Sequence, residues 1–377
     1  MRRCRFVLFI TAIFTITCLS CASDEEKIQN YLTSGDRYFA EEEYRSAEIE
    51  FKNAIQLDPG FAEAHRKLGE TYLKLGNARE AFRAFNAAAE IDPSNLDTQL
   101  KLATFLFLGK QNDQAREKVA FILAKEPQNV EALLLRAGLE EREEQFAAAR
   151  ATYGDVLAID AQRVGAYLGL ARVELRLDRP EAAEKTLIEA RQAAPEALEP
   201  RMALFRLYAG QGRLPQADAV LVQAIADHPE NAELLMVRAN FLARQNRHDE
   251  AEAALKQAVA LEPDSARPYL TLAAFYEANG APEKALAAYE QALAAKPEDS
   301  RIKTRLARFY LSRGRIDEAE GQVEALLAER PNYAPAKMLK AELLTARKAF
   351  GEALVLLDQL VADEPLAARA HYFKALA

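Results

Sequence analysis

The sequence predicts an all-α protein, a solenoid of about ten stacked helical hairpins. Three observations predict it. Proline recurs every 34 residues, at Pro59, Pro93, Pro127, Pro195, Pro229, Pro263, Pro297, Pro331 and Pro365, with Ala161 filling the one gap in register. Alanine keeps the same period without exception, from Ala47 and Ala81 to Ala319 and Ala353. Half of the 377 residues are hydrophobic and 28% are charged, with only 15 glycines, a composition that buries a core and stays in solution. A fixed period of this length marks a repeat array, in which one hairpin cannot bury its apolar face alone and neighbours must stack.

The first 21 residues stand outside the array. Arg2, Arg3 and Arg5 make a basic head, and an apolar run of about a dozen residues follows, with the layout of a secretory signal. The run is shorter than the ~20 apolar residues a spanning helix needs. It ends in Cys18-Leu19-Ser20-Cys21, which resembles the lipobox of bacterial lipoproteins. Small Ser20 fits directly before the acceptor, whereas bulky Thr17 precedes Cys18, and Cys18 stands where leucine is usual. The resemblance implies a signal peptide over 1–21, cleavage after Ser20, and a diacylglycerol thioether on Cys21. An ordinary cleaved signal, an uncleaved anchor, and a metal or redox cysteine pair are the alternatives. The pair lacks partners, because no cysteine follows Cys21 and the four histidines are scattered. Residues 22–27 read as a short tether.

The array proper reads from 28 to 377, ten full repeats with an eleventh begun at 368. In residues 62–93, Leu68, Tyr72 and Leu75 lie at helical spacing. Gly76-Asn77 stops that helix, because glycine accepts the left-handed conformation that closes a helix end. A second helix carries Ala81, Phe85 and Ala88. Asp92-Pro93 ends it, because proline disfavours helix in the residue before it. Gly212, Gly280 and Gly314 supply the same stop elsewhere.

A second small position runs through Gly35, Gly69, Ala103, Ala137, Ala171, Ala239, Ala273, Ala307 and Ala341, broken only by Phe205. Four residues after each periodic alanine stands a large apolar residue, among them Phe51, Phe85, Tyr153, Leu255 and Tyr289. With these positions the pattern resembles the tetratricopeptide repeat. It departs at the first aromatic position, usually tryptophan, which holds residues as different as Tyr31, His65, Gln99, Arg201 and Lys303.

The resemblance implies a right-handed superhelix with a partner-binding concave side, lined by the second, fifth, ninth, twelfth and thirteenth residues of each first helix. At the fifth position Leu168, Met202 and Met236 are candidate apolar contacts, with packing against the adjacent helix as the alternative. At the ninth and thirteenth positions Arg142, Arg172, Arg176, Arg206 and Arg244 form a basic row in an acidic protein, continued later by Arg308. Such a row suits acidic or amphipathic protein segments, or an acidic polysaccharide. Pairing of these arginines with nearby glutamates such as Glu141 and Glu174 is the alternative.

No P-loop, G-x-G-x-x-G or G-x-S-x-G occurs, and no two histidines share a helix at metal-ligand spacing. The sequence therefore predicts no enzyme, no cofactor and no metal. Without the three N-terminal arginines, 46 basic residues face 57 acidic ones, which disfavours nucleic acid. The expectation is an interaction scaffold lipid-tethered in the bacterial envelope, at the outer membrane facing the periplasm. Tetratricopeptide lipoproteins of exopolysaccharide export and PEP-CTERM sorting, pilus assembly or outer-membrane assembly set the candidate pathways. Alternatives are a soluble periplasmic adaptor, and the targeting arm of a longer protein whose enzyme or export-pore domain lies beyond Ala377.

Overall fold

The computed structural model describes residues 23–363 and 367–377, so Cys18, Cys21 and the apolar run before them lie outside the described residues. The described residues form 21 helices and no strand. Two compact units divide the chain after Ala203. The first contains α1 (Asp24–Ala40), α2 (Tyr44–Leu57), α3 (Ala62–Lys74), α4 (Ala78–Ile91), α5 (Leu96–Leu108), α6 (Asn112–Lys125), α7 (Val130–Arg142), α8 (Phe146–Ile159), α9 (Val164–Arg176) and α10 (Pro180–Ala193). The boundary falls inside α11 (Leu198–Gly210). The second holds α12 (Leu214–Asp227), α13 (Ala232–Ala243), α14 (His248–Leu261), α15 (Ala266–Ala278), α16 (Pro282–Ala295), α17 (Ser300–Ser312), α18 (Ile316–Glu329), α19 (Ala334–Ala346), α20 (Phe350–Asp363) and α21 (Ala368–Leu376).

The helix α1 begins at Asp24, so residues 24–27, read from sequence as tether, form its first turn. Ser23 caps it, its Oγ accepting from Glu26 N at 3.1 Å. Asp24, Glu25 and Glu26 then place negative charge at the positive end of the helix dipole.

Each of the ten first helices from α1 to α19 ends in the same device. The residues at 42, 76, 110, 144, 178, 212, 246, 280, 314 and 348 all have φ between 58° and 74°. In each turn the next amide donates to a carbonyl five residues back, as Asn77 N does to Tyr72 O at 2.8 Å and Ala349 N to Leu344 O at 2.8 Å. This satisfies carbonyls the helix end would leave orphaned. Only four of the ten residues are glycine; Glu42, Lys110, Glu144, Asp178, Asn246 and Lys348 adopt the left-handed conformation despite their Cβ.

The periodic alanines are buried, as are Phe51, Phe85, Leu221, Leu255 and Leu357 on the same second helices. Gly35 shows why small residues recur opposite them: a Cβ there would lie 2.5 Å from the Phe51 ring. In four repeats the first aromatic position, irregular in sequence, does the same job. His65 Nε2 lies 3.0 Å from Pro59 O, Gln99 Nε2 donates to Pro93 O at 3.0 Å, Tyr167 Oη donates to Ala161 O at 3.2 Å, and Arg201 donates to Pro195 O. Each acceptor is the carbonyl at the periodic proline position, which would otherwise go unpaired at a helix boundary.

First helices also approach one another: α5 touches α7, α7 touches α9, α13 touches α15, α17 touches α19, and α19 touches α21. No comparable contact joins second helices among the described residues. Within each unit the first helices therefore form the inner face.

Candidate partner-binding grooves

The inner face of the first unit brings together three of the five sequence-predicted arginines. Arg142, Arg172 and Arg176 line a cavity of about 360 Å³ with Phe107, Glu141 and Glu144. They do not stand ready for a partner. Arg172 forks Glu141 from 31 residues away, its Nη2 donating at 2.7 Å and its Nε also donating. Tyr153 Oη donates to the same carboxylate at 3.3 Å, and burial, then the Glu141 charge, pushes this phenol up to about 12. Arg142 stacks its guanidinium 3.9 Å over the Phe107 ring and donates to Phe107 O at 2.6 Å and to Asn112 Oδ1 at 2.9 Å. Arg176 lies 4.6 Å over Phe146 and 3.8 Å from Glu144. Pairing with nearby glutamates thus holds for Arg172 through Glu141 and, more loosely, for Arg176 through Glu144. Glu174, the other glutamate named from sequence, is buried and engaged by Arg150 and Arg179 instead.

The remaining predicted residues are dispersed. Leu168 is half-buried on α9, and Met202 is half-buried on α11. Met236 is a correction: it is buried in the core of the second unit, where Thr271 Oγ1 sits 3.5 Å from its sulfur, so it offers a partner no surface. Arg206 on α11 and Arg244, the C-cap of α13, are exposed and line neither groove.

The second unit contains a larger groove, about 970 Å³, between α15, α17 and the start of α19. Its walls come from the expected positions of two consecutive repeats: Arg267, Leu270, Ala274 and Glu277 from one, Arg301, Thr304 and Arg308 from the next. Arg305 adds a fourth guanidinium, and Tyr289 and Phe309 close the base with ring centroids 5.6 Å apart. Arg267 is forked to Glu233 at 2.7 and 2.8 Å, and Arg301 is held by Asp299 at 2.5 and 3.0 Å. Glu277 accepts from Tyr289 Oη at 2.5 Å. Burial, and then that carboxylate, raise the Tyr289 pKa. Arg305 and Arg308 have no ion-pair partner among the described residues.

Sequence reasoning reached Arg308 but passed over Arg267, Arg301 and Arg305. The signal available was a change at the second position, from Glu63, Asp97, Glu131, Glu199 and Glu233 to Arg267 and Arg301.

A family model described as the C-terminal domain of cilia and flagella-associated protein 70, designated a tetratricopeptide-repeat domain, matches residues 102–343. The chain belongs to this tetratricopeptide-repeat family. A second model, the tetratricopeptide-repeat domain of cytochrome c-type biogenesis protein H, matches residues 25–163 of this repeat protein. No curated protein matches it. Among solved structures, a tetratricopeptide repeat protein from Parabacteroides merdae is 17% identical, with a TM-score of 0.44 over 66% of this chain and 98% of that one. PilF of Pseudomonas aeruginosa is 16% identical, TM-score 0.46, over 58% of this chain and all of its own. PilW, a type IV pilus biogenesis factor, is 20% identical, TM-score 0.49, over 58% and 99%. As a tetratricopeptide-repeat solenoid, the chain is built as a protein-interaction scaffold.

Proposed function

We propose that this protein is a membrane-tethered scaffold of the bacterial cell envelope that holds protein partners on its first-helix face and turns over no substrate. The observation that carries the partner surface is the groove of about 970 Å³ formed by the expected positions of consecutive first helices. The tether rests on the sequence Cys18-Leu19-Ser20-Cys21 after a basic head and an apolar run. Lipid on Cys21 would hold the repeats at a membrane surface, with outer-membrane attachment facing the periplasm as the location. Among the described residues no helix is long and apolar enough to cross a membrane.

Two measurements test this function. Photo-cross-linkers placed in the native host at first-helix positions such as Thr304, and at exposed second-helix positions such as Val355, report where partners sit. Defined partners at first-helix positions support the scaffold function, and capture confined to second helices refutes it. The intact mass of the membrane-extracted protein should start at a lipidated Cys21; an unmodified Met1 rules the tether out.

A further inference from the structure

The groove between α15, α17 and the start of α19 carries more positive charge than its own acids answer. Arg267 and Arg301 are each held by a carboxylate, and the one acid on its wall, Glu277, accepts from the neutral Tyr289 phenol and is in no ion pair with them. Arg305 and Arg308 remain, one helical turn apart on α17, where Cβ atoms stand ~5–6 Å from each other. Glu342, the carboxylate acting on Arg308, is already forked by Arg369 at 2.6 and 2.8 Å. Burial of part of the side chain, followed by the like charge of Arg369, lowers the Arg308 pKa, the direction expected of a guanidinium whose charge is left uncompensated. Beside the two guanidiniums the wall is mostly apolar, with Leu270, Ala274 and Phe309 alongside the hydroxyls of Thr271 and Thr304.

We propose that this groove binds an acidic protein segment in extended conformation, two of its carboxylates on Arg305 and Arg308 and an apolar side chain against Leu270. The proposal rests on the first-helix face being the partner surface. Alternate residues of an extended chain point the same way about 6.6 Å apart, which suits two guanidiniums one turn apart. Guanidinium forks match carboxylates bidentately. The mostly apolar wall favours a peptide, which can lay an apolar side chain on it, over an acidic polysaccharide, whose many hydroxyls would each have to give up water.

The test uses the full chain and a fluorescein-labelled dodecapeptide alternating glutamate with leucine, alongside its counterpart with glutamine for glutamate, read by fluorescence anisotropy. The wild type should bind the glutamate peptide, and lose it as salt rises to about 0.5 M. The double variant Arg305→Ala/Arg308→Ala should weaken binding on the order of tenfold or more. Arg305→Lys/Arg308→Lys should recover part of it, because charge returns without the fork. Arg172→Ala should bind like the wild type, its guanidinium being committed to Glu141. Circular dichroism should show the Arg305 and Arg308 variants folded, since neither residue is in an ion pair. Equal binding of the glutamine peptide, undiminished binding by the alanine double variant, or binding of neither peptide overturns the proposal. So does preferential binding of oligogalacturonate. Should the peptides fail while cross-linkers elsewhere on first helices capture partners, the acidic-segment groove falls and the scaffold function stands.

Discussion

At the scale of single residues, what matters is which charges and which volumes are already spoken for. Arg172, Glu141 and Tyr153 form one connected group in the first unit. The Tyr153 phenol, raised from 10.0 to about 12, binds its proton more tightly folded than unfolded. Its contribution is therefore complete below pH 10 and is lost as pH climbs through 12. At about 1.4 kcal/mol per pK unit this amounts to roughly 2–3 kcal/mol. Urea unfolding measured from pH 9 to 12 should show the wild type losing stability, with Tyr153→Phe reducing that slope. Packing is equally specific at Gly35, where Gly35→Ala drives a methyl into the Phe51 ring. The expected cost is about 1–3 kcal/mol, read as a lower urea midpoint with an unchanged slope.

At the scale of elements, the ten hairpins share one turn whose backbone is fixed and whose residue is not. A left-handed conformation costs a non-glycine residue about 1–2 kcal/mol, yet six of the ten positions carry one. The bond from the next amide to the carbonyl five residues back holds these turns whatever the side chain. Lys110→Gly and Glu144→Gly should therefore each stabilise the protein by several tenths to about 1 kcal/mol, while Gly76→Ala should destabilise it by about as much. Thermal unfolding of the three variants checks both signs. The same logic explains the tolerance of the first aromatic position. Gln99, Tyr167 and Arg201 differ in every respect except a donor that reaches the carbonyl at the repeat boundary. Leu133 and Leu235 at this position have no donor and are buried, and Lys303 pairs instead with Glu329 at 2.6 Å.

At the scale of the whole molecule, each unit is a stack in which a helix meets only its near neighbours in sequence. Stability in such a stack is close to a sum of repeat and interface contributions. Leu255 is fully buried on α14, so Leu255→Ala should cost about 2–5 kcal/mol. The damage should stay local: hydrogen exchange should speed up in α13–α16 and remain unchanged in α1–α8. Uniform acceleration across the chain would show that the stack melts as one block.

The sequence by itself determined the repeat, its hairpin boundaries and the inner-face positions, because these follow from local chemistry repeated at a fixed period. Pro59 with its 34-residue successors ends helices, and the small residue of each first helix admits the large residue of the second. Only the tertiary structure decided which inner-face residues are free to act. Met236 and Leu270 occupy the same repeat position, yet one is core and the other lines a groove. Arg172 and Arg308 likewise share a position. The first is neutralised by a glutamate in the preceding repeat, whereas the second faces Glu342 already held by Arg369. Periodicity places a side chain on a face. Whether its charge is compensated depends on partners some thirty residues away, whose identities vary from repeat to repeat and obey no period.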